Sequence, residues 1–171
     1  MKVILYMAIS VNGLITKGKD DSDWVAETDW NEFDSLMRNC GFMVMGRRTY
    51  EIFGDDFPCE GALNVVMTSR KKLLNKKTSG NAIFTDKTPK GIIKLAKEKG
   101  FKKIMLIGGE KLNTSFFKQS LIDEIWLSIH PLIIGDGKLV MDKIKYFKKL
   151  RLLGVKKLKE DLVQVRYRVK K

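Results

Sequence analysis

From Val3 to Ile9 the chain reads without a polar break, and it stops at Asn12-Gly13. A strand with no polar alternation has no face to offer water, so it belongs inside a sheet covered on both sides. Phe42 to Met45 and Leu63 to Met67 repeat the style. Lys103 to Ile107 does so again and ends at Gly108-Gly109. Helical patterns lie between these runs. Thr28 or Asp29 can cap a helix to about Asn39 with Trp30, Phe33, Leu36 and Met37 on one face. Arg47 to Phe53 is a short helix ended by Gly54. Thr88 can cap Pro89 to Lys99 with Gly100 as the stop, and Lys111 to Gln119 is a further helix. Strands separated by helices imply a mainly parallel sheet with helices on both faces.

The last third changes character. Glu124 to Ile129 is a strand leading to Pro131. Leu162 to Val169 alternates, with Val163, Val165, Tyr167 and Val169 facing one way and Gln164, Arg166 and Arg168 the other. That pattern predicts a half-exposed antiparallel strand whose hairpin partner is Leu150 to Val155, with Glu160-Asp161 near the turn. The expected fold is α/β: a mixed, mainly parallel sheet flanked by helices, with a C-terminal antiparallel hairpin. With 171 residues, three prolines and no Gly/Ser-rich linker, the expectation is one domain over 1–171.

Charge and cysteine usage narrow the function. Lys and Arg number 33 against 20 Asp and Glu, a formal charge of +13, which favours anionic ligands without choosing among phosphorylated cofactors, nucleic acid and acidic lipid. Cys40 and Cys59 are too few for a disulfide framework or a Cys-rich zinc site and are expected to be reduced thiols. The single histidine, His130, excludes a centre built on several imidazoles, so no metal is expected. His130 ends a strand, where a structural or substrate-lining role suits it. No apolar run approaches the roughly 20 residues of a membrane span, and no small-residue cleavage site follows the N-terminal run. The expectation is a cytoplasmic protein with no membrane partner.

Four segments follow strands and fall where open α/β sheets bind ligands, at the carboxyl ends. They are Ala8 to Ile15, Gly46 to Glu51, Thr68-Ser69-Arg70, and Ile107-Gly108-Gly109-Glu110. Gly46-Arg47-Arg48-Thr49 serves equally as a plain strand–helix turn and as a phosphate site combining free backbone N–H groups with guanidinium donors. Ser69-Arg70 adds a second hydroxyl and guanidinium, a pair that suits the 2′-phosphate of an adenosine. Gly108-Gly109 is either a tight turn or a place where a diphosphate approaches the backbone. Asp29 is either a helix cap or a carboxylate with a raised pKa that binds an amidine-like edge. Asp20, Asp21 and Asp23 read as solvated loop acids.

Taken together these residues resemble the dihydrofolate reductase family and its relative, the reductase domain of bacterial riboflavin biosynthesis. Trp24, Asp29 and Phe33 reproduce a dihydrofolate reductase spacing, Gly46 to Thr49 and Asn64 to Ser69 resemble its NADPH segments, and Gly108-Gly109 resembles paired glycines joined by a cis peptide. The resemblance implies NADPH as cofactor. It implies catalytic roles for Asp29, Trp24 and Ser128, and substrate contacts at Ala8, Ile9 and Phe33. It implies cofactor contacts at Ile15, Gly46, Arg47, Arg48 and Thr49, at Thr68, Ser69 and Arg70, and at Ile107, Gly108, Gly109 and Glu110. Asp29 would hold and help protonate a pterin's pyrimidine edge, Ser128 would orient it, and the loop from Asn12 to Trp24 would act as a lid flexing at Gly13 and Gly18.

This chain departs from the folate pattern at Asn12, where aspartate is usual, at Ala62, where an arginine binds the folate glutamate tail, and at Asn113, where a tyrosine is usual. Pro131 to Gly137 reads like the riboflavin branch. The first expectation is therefore NADPH-dependent reduction of a pterin, 7,8-dihydrofolate to tetrahydrofolate, in folate and one-carbon metabolism. The alternative is a riboflavin-biosynthesis reductase acting on a ribosylamino-pyrimidine phosphate. A remote third is a basic nucleic-acid-binding module, because Lys143 to Lys159 holds eight basic residues and no acid. The plain reading of that stretch is a solvated basic face with Tyr146, Phe147, Leu150 and Leu152 turned inward. Either enzyme takes a small-molecule substrate and works as a monomer or homodimer.

Overall fold

A computed structural model of the chain describes residues 1–78, 80–145 and 147–170. The strands are β1 (Lys2–Ser10), β2 (Phe42–Gly46), β3 (Leu63–Met67), β4 (Ala82–Thr85), β5 (Lys103–Leu106), β6 (Glu124–His130), β7 (Leu150–Lys157) and β8 (Val163–Val169). They form one sheet in the order β4-β3-β2-β5-β1-β6-β8-β7. Pairing is parallel from β4 to β6, and the β7–β8 hairpin joins β6 antiparallel. The helices are α1 (Glu27–Cys40), α2 (Arg47–Phe53), α3 (Lys71–Leu74), α4 (Pro89–Glu98) and α5 (Glu110–Lys118). The mixed α/β architecture and its C-terminal hairpin are those the sequence predicts.

The unbroken apolar runs are explained by two layers of helix. On one face Val3, Leu5, Val44, Ile104 and Leu106 pack with Ile92 and Ala96 of α4 and Phe116 and Phe117 of α5. On the other, Ile4, Tyr6, Met43, Met45 and Met105 meet Leu36, Met37 and Cys40 of α1. Thr88 caps α4 as expected, accepting from the N–H of Gly91. Cys40 and Cys59 are free thiols. Among the described residues no helix is long and apolar enough to cross a membrane.

Three local expectations are corrected. The first concerns α1, which starts at Glu27 behind Ala26, so neither Thr28 nor Asp29 caps it, and Trp30 is exposed rather than on the packed face. The second concerns β8. Both of its sides bury a residue: Gln164 is fully covered opposite Ser128, and Val169 sits in the core with Val3 and Ile125, while Val163 and Val165 are only partly covered, so the strand is less exposed than the alternation predicts. The third concerns the basic stretch. Phe147, Leu150 and Leu152 point to solvent, not inward, because β7 is the last strand of the sheet and pairs only with β8; Tyr146 lies outside the described residues. The short β4 and α3 carry too few residues to show a period, and the sequence does not reveal them.

These positions set opposite expectations for two leucines. Leu106→Ala should cost about 2–5 kcal/mol in chemical denaturation, the range for a cavity in a packed core. Leu152→Ala on β7 should change stability by less than about 0.5 kcal/mol. Comparable losses at both positions would contradict the burial pattern.

Candidate active site

Because β1, β2, β3 and β5 run parallel, they end on one edge of the sheet, at Ser10, Gly46, Met67 and Leu106. A cleft of about 1380 Å³ opens along that edge. Ala8 and Ile15 line it from β1 and its loop, and Asp29 and Phe33 from α1. Gly46, Arg47, Arg48 and Thr49 line it from the start of α2, and Ile107, Gly109 and Glu110 from the start of α5. Most of the residues singled out in the sequence thus meet in one place. Ile9, Trp24, Thr68, Ser69, Arg70, Gly108 and Ser128 do not line it.

One end of the cleft is a floor of glycine backbone. The N–H of Gly46 donates to the carbonyl of Gly108 at 2.7 Å, and the Gly108–Gly109 peptide is cis. A Cβ on Gly46 would lie 3.6 Å from the Gly108 oxygen and the Gly109 nitrogen, an ordinary contact distance, and with glycine at all three positions the floor presents bare backbone. Beside this floor, Arg47 Nη1 donates to both carboxylate oxygens of Glu51 at 2.7 Å. Arg70 Nη1 stands 3.9 Å from the same carboxylate. Glu51 therefore holds the two guanidinium groups around an anion. Thr68 is turned back to accept from the N–H of Arg70, Ser69 is exposed, and Arg70 reaches the site only through Glu51.

The other end has aromatic walls and a buried acid. Phe33 meets Tyr6, Trp30 and Phe53 at ring-centroid distances of 6.0, 5.4 and 6.2 Å. Asp29, third in α1, turns inward, and the hydroxyl of Tyr6 donates to its Oδ1. Tyr6 Oη also lies 3.1 Å from Ser128 Oγ, Gln164 Nε2 3.5 Å from the same oxygen, and Arg166 Nε donates to Gln164 Oε1 at 2.7 Å. Arg166 returns to α1 at Glu32, 3.7 Å away. Burial pushes the Asp29 carboxyl up from 3.8, and the hydrogen bonds from Ser128 and Tyr6 offset part of that shift. Burial and the neighbouring Asp29 push the Tyr6 hydroxyl well above its usual range, so it stays a donor.

His130 is held at both ring nitrogens. The N–H of Ala26 donates to its Nε2 at 3.2 Å, which leaves the proton on Nδ1, facing the carbonyl of Ser128 at 3.2 Å. Nε2 also stands 3.8 Å from Asp29 Oδ2. Trp24 packs edge-on to His130 at 5.0 Å, with its Nε1 buried and without a hydrogen-bond partner among the described residues. That packing, behind the start of α1, is why Trp24 faces away from the cleft.

The loop after β1 is stitched down rather than free. Asn12 Nδ2 donates to the carbonyl of Ile134 at 2.7 Å and its Oδ1 accepts from the N–H of Ile134 at 3.1 Å. An aspartate could make only the second bond, so the asparagine at this position has a physical role. Ile15 and Gly18 donate to the carbonyls of Lys138 and Asp136 at 2.8 Å, and Thr16 Oγ1 accepts from Lys138 N. A Cβ at Gly137 would fall 1.8 Å from the Thr16 oxygen, so this seam requires glycine there. Asp20 and Asp21 are not free solvated acids: they pair with Lys138 and Lys17. Asn113 Nδ2 donates to the carbonyl of Val140 at 2.8 Å, which places it under the seam.

Sequence reasoning missed Tyr6 and Gln164. For Tyr6 a signal existed: a lone hydroxyl inside an otherwise apolar strand must find a buried partner. Gln164 reads as one of three polar residues on its side of β8, and nothing local marks its buried partner Ser128.

Residues 1–164 match the RibD C-terminal domain family. The chain is 28% identical over 177 residues to YyaP, an uncharacterized protein of Bacillus subtilis (strain 168), covering 97% of this chain and 94% of that one. It is 27% identical over 116 residues to a 2,5-diamino-6-ribosylamino-4(3H)-pyrimidinone 5′-phosphate reductase of Archaeoglobus fulgidus, covering 66% of this chain and 53% of that protein. A crystal structure of a candidate riboflavin biosynthesis protein from Shewanella sp. PV-4 superposes with a TM-score of 0.82 at 21% identity over 100% of both chains, a likeness of fold.

The buried carboxyl has a testable cost. Between 3.8 and its raised value, folded Asp29 keeps a proton that the unfolded chain releases. Its contribution to stability is complete below the unfolded pKa and is lost as pH rises through the folded one. Asp29→Asn keeps an acceptor for Tyr6 and removes the charge. It should raise stability near pH 8 by roughly 0.5–2 kcal/mol and flatten the dependence of Tm on pH in calorimetry. A lower Tm at that pH would contradict the burial argument.

Proposed function

The chain belongs to the RibD C-terminal domain family, and from that membership and the cleft we propose that it is an NADPH-dependent reductase of the pyrimidine-reductase type. The observation that carries the reading is the meeting of a glycine-backbone floor, flanked by arginines, with an aromatic pocket over a buried carboxyl on one sheet edge. On the substrate side, support comes from the archaeal relative named as a ribosylamino-pyrimidinone phosphate reductase. The relatives favour this alternative over the dihydrofolate expectation. Ala62 agrees with them: it is buried against α1, and no side chain there reaches for a glutamate tail. The nucleic-acid module gains nothing from these relatives.

The residues present fit a dinucleotide. The side-chain-free surface at Gly46 and Gly109 leaves room for a diphosphate against the backbone, and Arg47 with Arg70 already surrounds one carboxylate as it would a 2′-phosphate. The reduced nicotinamide, when bound, supplies the hydride. The chain's own contribution is position and a proton. Phe33, Trp30 and Phe53 present aromatic faces to a planar heterocycle and exclude water from it. Tyr6 occupies Oδ1 of Asp29, so Oδ2 is the atom that holds a proton for the substrate nitrogen or oxygen next to the reduced carbon. The raised pKa keeps that proton available at higher pH than an exposed acid would.

Arg47→Ala should weaken NADPH binding by about 1.5–3 kcal/mol, the range for hydrogen bonds to a charged group, and leave NADH binding unchanged in fluorescence titration. Glu51→Gln, which frees both guanidinium groups, should tighten NADPH. Equal losses for both nucleotides in Arg47→Ala would remove the 2′-phosphate assignment.

A further inference from the structure

The cleft carries charge opposite to that of the chain. The whole sequence is +13, yet the charged residues lining the cleft are eight acids and five bases. They are also sorted by place. Arg47, Arg48 and Lys111 stand where α2 and α5 begin, beside the glycine floor, and among the described residues Arg48 and Lys111 have no ion-pair partner. At the aromatic end, Asp34, Asp56 and Glu60 line the wall, and Arg38 is the single base. Arg38 is already matched. Its Nε donates to Asp34 Oδ2 at 2.8 Å, and Glu60 adds to the negative field around it. Its Nη1 lies so close to Gly61 that a Cβ there would come within 2.7 Å. Under the loop, Lys138 is matched by Asp20. Every cation lining the cleft away from the glycine floor therefore has a carboxylate of this chain as its partner.

An anionic appendage at the aromatic end would meet Asp34, Asp56 and Glu60 with no unpaired cation to receive it. Like charges at such a site discriminate by repulsion, which is how a pocket rejects a ligand that otherwise fits. We propose that the substrate is an amino-pyrimidine compound without a phosphate, its exocyclic amines facing the acids of this wall, and that the wall rejects phosphorylated or carboxylate-tailed relatives of it. This rests on the reductase reading and narrows its substrate class. It separates the chain from the activity named for the archaeal relative, whose substrate is a 5′-phosphate.

The test uses the full chain with NADPH and two probes: 2,5-diamino-6-ribosylamino-4(3H)-pyrimidinone 5′-phosphate and the same compound with its phosphate removed. NADPH binding is followed separately by fluorescence titration. The dephosphorylated probe should be reduced with a kcat/KM at least about tenfold higher, the scale of one uncompensated like-charge contact. In Asp56→Asn/Glu60→Gln, both at exposed positions that carry no core packing, the phosphorylated probe should gain and the gap should narrow to about threefold or less. Equal or faster reduction of the phosphorylated probe overturns the proposal. So does a preference that the double variant leaves unchanged, or reduction of neither probe while NADPH still binds. Absence of NADPH binding takes away the reductase reading itself, and the proposal with it.

Discussion

Covering β1, β2 and β5 on both faces leaves those strands no surface on which to do chemistry. Everything polar that the sheet offers must appear where the strands stop. Parallel pairing then decides where that is, since four consecutive turns emerge along a single edge. The glycine floor and the arginines are therefore a product of the core's demand for apolar sequence. So is the position of α1, whose Leu36, Met37 and Cys40 are held by the same sheet and whose first turn projects past its edge.

Tyr6 is the exception within β1, and it shows how the core and the site are joined. A hydroxyl and a carboxyl buried separately would each cost about 1–3 kcal/mol unpaired. Placed together they satisfy one another, and Ser128, Gln164, Arg166 and Glu32 extend the contact back to α1. The acid is thus located by strands on two sides as well as by its own helix. An exposed carboxylate at the same point in sequence would lack both the raised pKa and the fixed direction.

Features encoded within a few residues were legible: the apolar runs, the Thr88 cap, the short helix stopped by Gly54, the glycine pair at the end of β5. Features set by distant partners were not. Thr28 and Asp29 look like caps locally, but the partner that claims Asp29 lies 23 residues back, on β1. The alternation of β8 separates Gln164 from the valines, but only Ser128 across the ladder shows that Gln164 is buried. The Trp24, Asp29 and Phe33 spacing pointed to folate because spacing records the scaffold. It says nothing of Trp24 turning to His130 or of the acids on the opposite wall, and these arise from segments far apart in the chain.

The seam between the loop after β1 and residues 131–138 turns two strips of chain into a two-ply roof. Its bonds run from both layers, through Asn12, Ile15, Thr16 and Gly18. Lifting one layer alone breaks several of them together, at roughly 0.5–1.5 kcal/mol each. The layers rise as a unit or stay down. The cleft is therefore bounded on that side by both layers together, Ile15 and Thr16 from one and Lys138 from the other.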